Sequence, residues 1–164
     1  MSKLVPRHVA PALARQLARV AALLLAGACA FAQGREYVVE HYAKSEHAIA
    51  MRDGVKLFTA VYVPRDTSRT WPILLKRTPY TVAPYGPDAY PDSLGPSELC
   101  AREGFVFAYQ DVRGKAMSEG EFENVRPILR SRTSSQDVDE STDAYDTIEW
   151  LVRNVDGNNG KVGV

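Results

Sequence analysis

Gly160-Lys161-Val162-Gly163-Val164 follows an amphipathic helical stretch and a turn-rich loop. A β-branched run entered from a Gly turn reads as a buried strand. Working back from it, Asp156-Gly157-Asn158-Asn159-Gly160 breaks the chain. Before that break Val138, Thr142, Tyr145, Ile148, Leu151 and Val155 recur at three- and four-residue spacing, which predicts a helix starting at Ser134 or Ser135. Further back, Phe105-Val106-Phe107-Ala108-Tyr109-Gln110 reads as a strand buried on both faces. Gly104 caps a helix predicted over Leu94 to Arg102. Trp71 to Arg77 is another short apolar run. Strand, helix, strand, helix, strand in this order predicts an α/β sheet with parallel central strands and right-handed crossovers. Folded chains seldom end inside such a strand, so the 164 residues are expected to be the front portion of a longer protein.

The start of the chain has a different texture. Tyr37 to Tyr42, Ala48 to Met51 and Val55 to Pro64 are strand-like, and Asp53-Gly54 between the last two is a hairpin signal. The sheet is therefore expected to begin antiparallel. No internal repeat interrupts this pattern.

Composition sets the outer limits. Apolar content of 45% and charged content of 24% are those of a globular chain with room for one modest domain. Net charge is zero, but Met1 to Ala32 holds Lys3, Arg7, Arg15 and Arg19 and no acid. The remainder has 16 basic against 20 acidic residues, a net charge of −4, which argues against nucleic acid or an anionic membrane surface as partner. The basic opening continues into Val20 to Ala26 and ends at Ala30-Phe31-Ala32. That apolar core is too short to span a bilayer, and the A-x-A ending predicts an export signal over residues 1–32, cleaved to leave Gln33 first. A retained amphipathic helix and a lipoprotein signal using Cys29 are the weaker alternatives. After cleavage Cys100 stands alone and reads as a small apolar residue rather than a nucleophile.

Four segments bear on chemistry: Met51 to Leu57, Arg77-Thr78-Pro79-Tyr80, Gln110 to Gly114 with Ser118 to Phe122, and Asp143 to Leu151 leading to Gly160 to Val164. Their order and spacing resemble the front of the CocE/NonD hydrolases, the X-Pro dipeptidyl-peptidase-like α/β-hydrolases that include α-amino-acid ester hydrolases and glutaryl-7-aminocephalosporanic acid acylases. The resemblance covers most of the chain from about Tyr37 onward. It implies that residues 33–164 are the incomplete N-terminal portion of an α/β-hydrolase domain, cut before the nucleophile elbow. In such proteins the strand matching Val162-Gly163-Val164 runs into a G-x-S-Y-x-G elbow, whose Ser would fall about four residues past Val164. The acid and base of the triad lie further on. Tyr80 matches the tyrosine whose phenol completes the oxyanion hole. The implied activity is a serine hydrolase acting on ester or amide bonds of small molecules or short peptides, through an acyl-enzyme and with no metal or organic cofactor. Release of X-Pro dipeptides is the alternative that shares this front half. A secreted β-rich binding module is the alternative from another class, and the parallel-type strands at Ile73 to Lys76 and Phe105 to Gln110 speak against it.

Rival signals have plainer explanations. Ala116-Met117-Ser118-Glu119-Gly120 imitates a nucleophile elbow, yet no apolar helix follows Ser118. Many members of the family carry Gly-Asp where this chain has Ala116-Met117. Gln-Pro-Trp is usual ahead of Asn-Gly-Lys-Val-Gly, where this chain has Asn154-Val155-Asp156-Gly157-Asn158, so both turns are expected to differ locally. Asp111 and Arg113 are expected to pin the end of a buried strand. Asp137, Asp139 and Asp143 fit the first turns of a helix better than a calcium loop. His41 and His47 lie ahead of the catalytic core and are poor candidates for the base. The loop carrying Tyr80, Tyr85 and Tyr90 with Pro79, Pro84, Pro87 and Pro91 reads equally as a pocket wall or as a stiff surface loop.

Overall fold

Two β-branched residues in a row, Val38-Val39, do not make a strand here. In the computed structural model, which describes residues 34–164 apart from Ser135, Arg35–His41 form a short helix, α1. Helical spacing stacks the His41 ring on that of Tyr37 at 4.1 Å, while Val38 is fully buried. Packing of one apolar side chain outweighs strand propensity over so short a segment. The expected export signal lies outside the described residues.

The sheet begins with β1 (Tyr42–Ala50) and β2 (Lys56–Pro64), an antiparallel hairpin with Ile49 opposite Leu57. Gly54, at φ +88°, makes the turn, and the Asp53 carboxylate accepts the Val55 N–H at 3.2 Å. β3 (Trp71–Thr78), α2 (Glu98–Glu103), β4 (Val106–Asp111), α3 (Glu140–Asn154) and β5 (Asn158–Gly163) follow. The strand order is β1-β2-β4-β3-β5, with β2 antiparallel to β4 and both β4 and β5 parallel to β3. This is the α/β sheet expected from the sequence, an antiparallel start followed by parallel strands and helical crossovers.

The crossovers run to opposite faces. Leu151 of α3 and Val155 just past its end pack with Ile49, Leu57, Val61, Ile73, Leu75, Val106 and Ala108 on one face. Val38 and Ala101, from α1 and α2, pack with Tyr42, Ala60, Tyr62, Leu94 and Phe107 on the other. β4 is central and covered on both sides, which is why its sequence is a nearly unbroken apolar run.

Two helix starts, one helix face and the burial of the last strand differ from expectation. α2 starts at Glu98 rather than Leu94, because Leu94 drops into the core and Gly95, at φ +77°, turns the chain beside Phe107. Gly104 does cap it, at φ +84° against the Trp71 ring. α3 starts at Glu140 rather than Ser134 or Ser135, since Asp139 and Thr142 form a capping box there. Its inward side is Thr142, Asp143, Thr147 and Leu151, and Tyr145 is exposed. The helix is rotated from the apolar stripe because Asp143 and Thr147 have polar partners in the sheet. β5 is present and parallel, but it is not buried: it pairs with β3 at the sheet edge, and Val164 is exposed. Among the described residues no helix is long and apolar enough to cross a membrane.

Candidate active site

β3, β4 and β5 all end at one edge of the sheet. The loops leaving β3 and β4 depart to opposite faces, the arrangement that opens a crevice above strand ends in open α/β sheets. A cavity of about 820 Å³ lies at this edge, lined in part by Leu74, Thr78, Val82, Pro91, Tyr109 and Val164. That volume is in the range of small-molecule sites.

Asp111, the last residue of β4, organises the crevice. It is fully buried, and its carboxylate accepts from Val82 N (3.2 Å), Tyr85 Oη (2.9 Å) and Met117 N (3.3 Å). Because the single Tyr85 hydroxyl proton goes to Asp111, Thr81 Oγ1 donates to Tyr85 Oη at 3.0 Å and accepts from Ala83 N at 3.1 Å. One carboxylate thus holds the loop after β3 to the loop after β4. Burial, then the hydrogen bond to Asp111 and its charge, pushes the Tyr85 phenol above its usual range against the lowering effect of Thr81, so it stays a donor.

Tyr80 stands two residues beyond β3. Its backbone N–H donates to Thr78 Oγ1 at 3.2 Å, and its side chain is 83% exposed. Its phenol is therefore placed by the loop backbone alone, at the edge of the sheet where β5 also ends.

Beneath the strand ends, on the α3 face, lies a polar layer that the sequence showed only in fragments. Gln110 Nε2 donates to Thr59 Oγ1 (2.9 Å) and Thr147 Oγ1 (2.8 Å), and its Oε1 accepts from Arg77 Nε (2.7 Å). Arg77 also donates to Glu140 Oε2 at 2.8 Å. Arg113, 5% exposed, forks to Asp143 at 3.0 and 2.7 Å and to Asp53 at 2.7 and 3.3 Å. Asp111 and Arg113 therefore both pin the end of β4, but through different partners on opposite faces. Hydrogen bonding to Asp143 keeps Arg113 charged well above its usual range, against the opposing effect of burial. Burial alone would raise Asp53, but hydrogen bonds from Arg113 and the Val55 amide, together with the Arg113 charge, outweigh that and hold it below its usual range.

The rival motifs are occupied structurally. Ser118 Oγ donates to Asp111 O at 2.6 Å and accepts from Phe58 N at 2.8 Å, so it stitches the loop to β2. Ala116 has φ +46°, in the left-handed region that favours glycine. At the α3 exit Asn158 Nδ2 caps Val152 O (3.0 Å) and Val155 O (2.6 Å). His41 is spent on Tyr37 O at 2.9 Å, and His47 bonds Ser45 Oγ at 2.8 Å while packing on Trp150 at 4.8 Å. Asp137 binds the Thr133 and Ser134 amides, and Asp139 caps α3. Among the described residues no three His, Cys, Asp or Glu side chains gather as a metal site. Cys100 is half-buried beside Ser97, between the expected core position and the surface.

The model of the X-Pro dipeptidyl-peptidase family (S15) matches residues 53–164, which include both halves of this crevice. The chain belongs to that family. Cocaine esterase from Rhodococcus sp. (strain MB1 Bresler) is 34% identical over 120 residues, 71% of this chain and 18% of its own length. Among solved structures, an alpha-amino acid ester hydrolase is 41% identical with a TM-score of 0.61, over 75% of this chain and 20% of that one. An aminopeptidase from a marine sediment Thaumarchaeota archaeon is 38% identical with a TM-score of 0.62, over 74% of this chain and 20% of that one. The chain thus spans about a fifth of the length of these relatives. The family is one of hydrolases, in line with the resemblance drawn from the sequence.

Proposed function

We propose that the whole protein is a serine hydrolase that cleaves ester or amide bonds of small molecules or short peptides through an acyl-enzyme, with no cofactor. Tyr80 donates a hydrogen bond to the oxyanion of the tetrahedral intermediate. The nucleophilic Ser belongs to the segment that continues β5, and the Asp and His of its triad to later parts of the protein. One observation carries this reading. β5 runs parallel to β3 with Gly163 opposite Leu74, so about four residues beyond Val164 the register comes level with Thr78 and Pro79, next to Tyr80. A nucleophile there and a phenol on the adjoining loop can share one carbonyl.

The relatives' names divide between ester hydrolase and aminopeptidase, and ester or amide transfer is the chemistry common to both. Tyr80→Phe in the full-length protein tests the reading with p-nitrophenyl acetate. Loss of one oxyanion donor should lower kcat about a hundredfold to a thousandfold with KM little changed. Wild-type rates in the variant would remove Tyr80 from the mechanism. Residues 33–164 alone are expected to give no burst of p-nitrophenol. We further propose that residues 1–32 direct export and are removed after Ala32, a claim that N-terminal sequencing of the exported protein decides.

A further inference from the structure

The loop after β3 is held from a second side, by β1. Lys44 Nζ, with no exposed side-chain area, donates to Pro84 O (2.7 Å), Gly86 O (2.8 Å) and Ala89 O (2.8 Å), and lies 2.7 Å from Glu46 Oε1. Glu46 Oε1 also accepts the Gly86 N–H at 2.7 Å, and Tyr90 Oη accepts the Lys44 N–H at 3.1 Å. An ammonium taken out of water is costly unless its three protons are used and its charge is matched. Here both conditions are met, and they are met only while the three carbonyls converge on one point. The pair therefore dictates the path of residues 84–89.

That path matters because Asp111 holds the same loop from the other side, at Val82 and Tyr85. Tyr85 in turn bonds Thr81, the neighbour of Tyr80. The phenol of Tyr80 is solvent-exposed, so loop backbone is what fixes it. We propose that Lys44 and Glu46 are positioning residues for Tyr80: a buried ion pair on β1 that sets, through the Pro84–Ala89 turn, where the oxyanion donor stands. This rests on the reading of Tyr80 given above.

A double-mutant cycle in the full-length protein tests it. With p-nitrophenyl acetate, Lys44→Met should lower kcat roughly tenfold with KM little changed, since a small misplacement of a fixed donor is enough. In the Tyr80→Phe background the same substitution should cost nothing further, because the group it positions is already gone. An equal loss in both backgrounds would mean general damage and would overturn the proposal. Should Lys44→Met not accumulate as folded protein, Glu46→Gln runs the same cycle with the same two outcomes. Amide exchange at Gly86 separates the levels. Faster exchange in the variant with Tyr80→Phe silent defeats the catalytic reading and with it the positioning role. Unchanged exchange in the variant defeats the clamp itself.

Discussion

Removing Arg113 should expose how much of this fold depends on one guanidinium. Arg113→Met keeps the length and apolar stem of the side chain, but it strips four hydrogen bonds from Asp53 and Asp143. Their side chains are 8% and 2% exposed, so Asp53 would be left buried without its cation, and Asp143 with only the Arg77 guanidinium at 3.8 Å. Breaking a buried pair from one side costs about 3–5 kcal/mol, more than the pair itself contributes, because the orphaned charges remain. Native-state hydrogen exchange on the amides of α3 reads this locally in a long protein. At about 1.4 kcal/mol per tenfold, exchange at Thr147 and Leu151 should accelerate by roughly two to three and a half orders of magnitude at pH 7. The sign of the pH response adds a second check. In the variant Asp53 keeps its burial but loses the Arg113 hydrogen bonds that help hold it below its usual range, so it takes up a proton more readily and the deficit against wild type should shrink as the pH falls from 7 towards 4. An acceleration under tenfold, or a deficit that does not shrink on acidification, would refute the reasoning.

Two further outcomes follow from the geometry. Gly104→Ala should destabilise by about 1–3 kcal/mol in thermal or urea melts, since Gly104 sits at φ +84° and a Cβ there would overlap the Trp71 ring. Asp53 and Asp139 both have folded values below the ordinary aspartate 3.8, hydrogen bonds outweighing burial in each. Their contribution is therefore complete above that value and is lost as the pH falls below it, so exchange protection of the β1–β2 hairpin and of the first turn of α3 should fall between about pH 4 and pH 2.

The sheet was legible because its central strand is covered twice. Val106 to Tyr109 could be so apolar only if both faces were packed, and Gly104 and Asp53-Gly54 marked their turns through backbone conformations that few other residues tolerate. α1 was not legible: Val38-Val39 signals a strand, and only the stacking of Tyr37 on His41 and the burial of Val38 make it helical. The face of α3 was misread for a related reason. Hydrophobic spacing points at Tyr145, whereas Asp143 and Thr147 turn inward because Arg113 and Gln110 wait for them 30 and 37 residues away in sequence. Pairings of that range leave no periodic trace. Lys44 and Glu46 look like an ordinary polar alternation on an edge strand. Their burial depends on the fold of a Pro-rich loop some 40 residues away. Tyr80 was singled out only through its four-residue motif, because an exposed loop tyrosine carries no packing signal.

The central claim is that the strand ending in Val162-Gly163-Val164 leads to the nucleophile. Labelling the full-length protein with a fluorophosphonate and mapping the modified peptide tests it most directly. The adduct should fall on a Ser about four residues beyond Val164, in a Gly-x-Ser-Tyr-x-Gly sequence. Stoichiometric labelling of Ser118, Ser45 or any residue remote from the end of β5 would contradict the account.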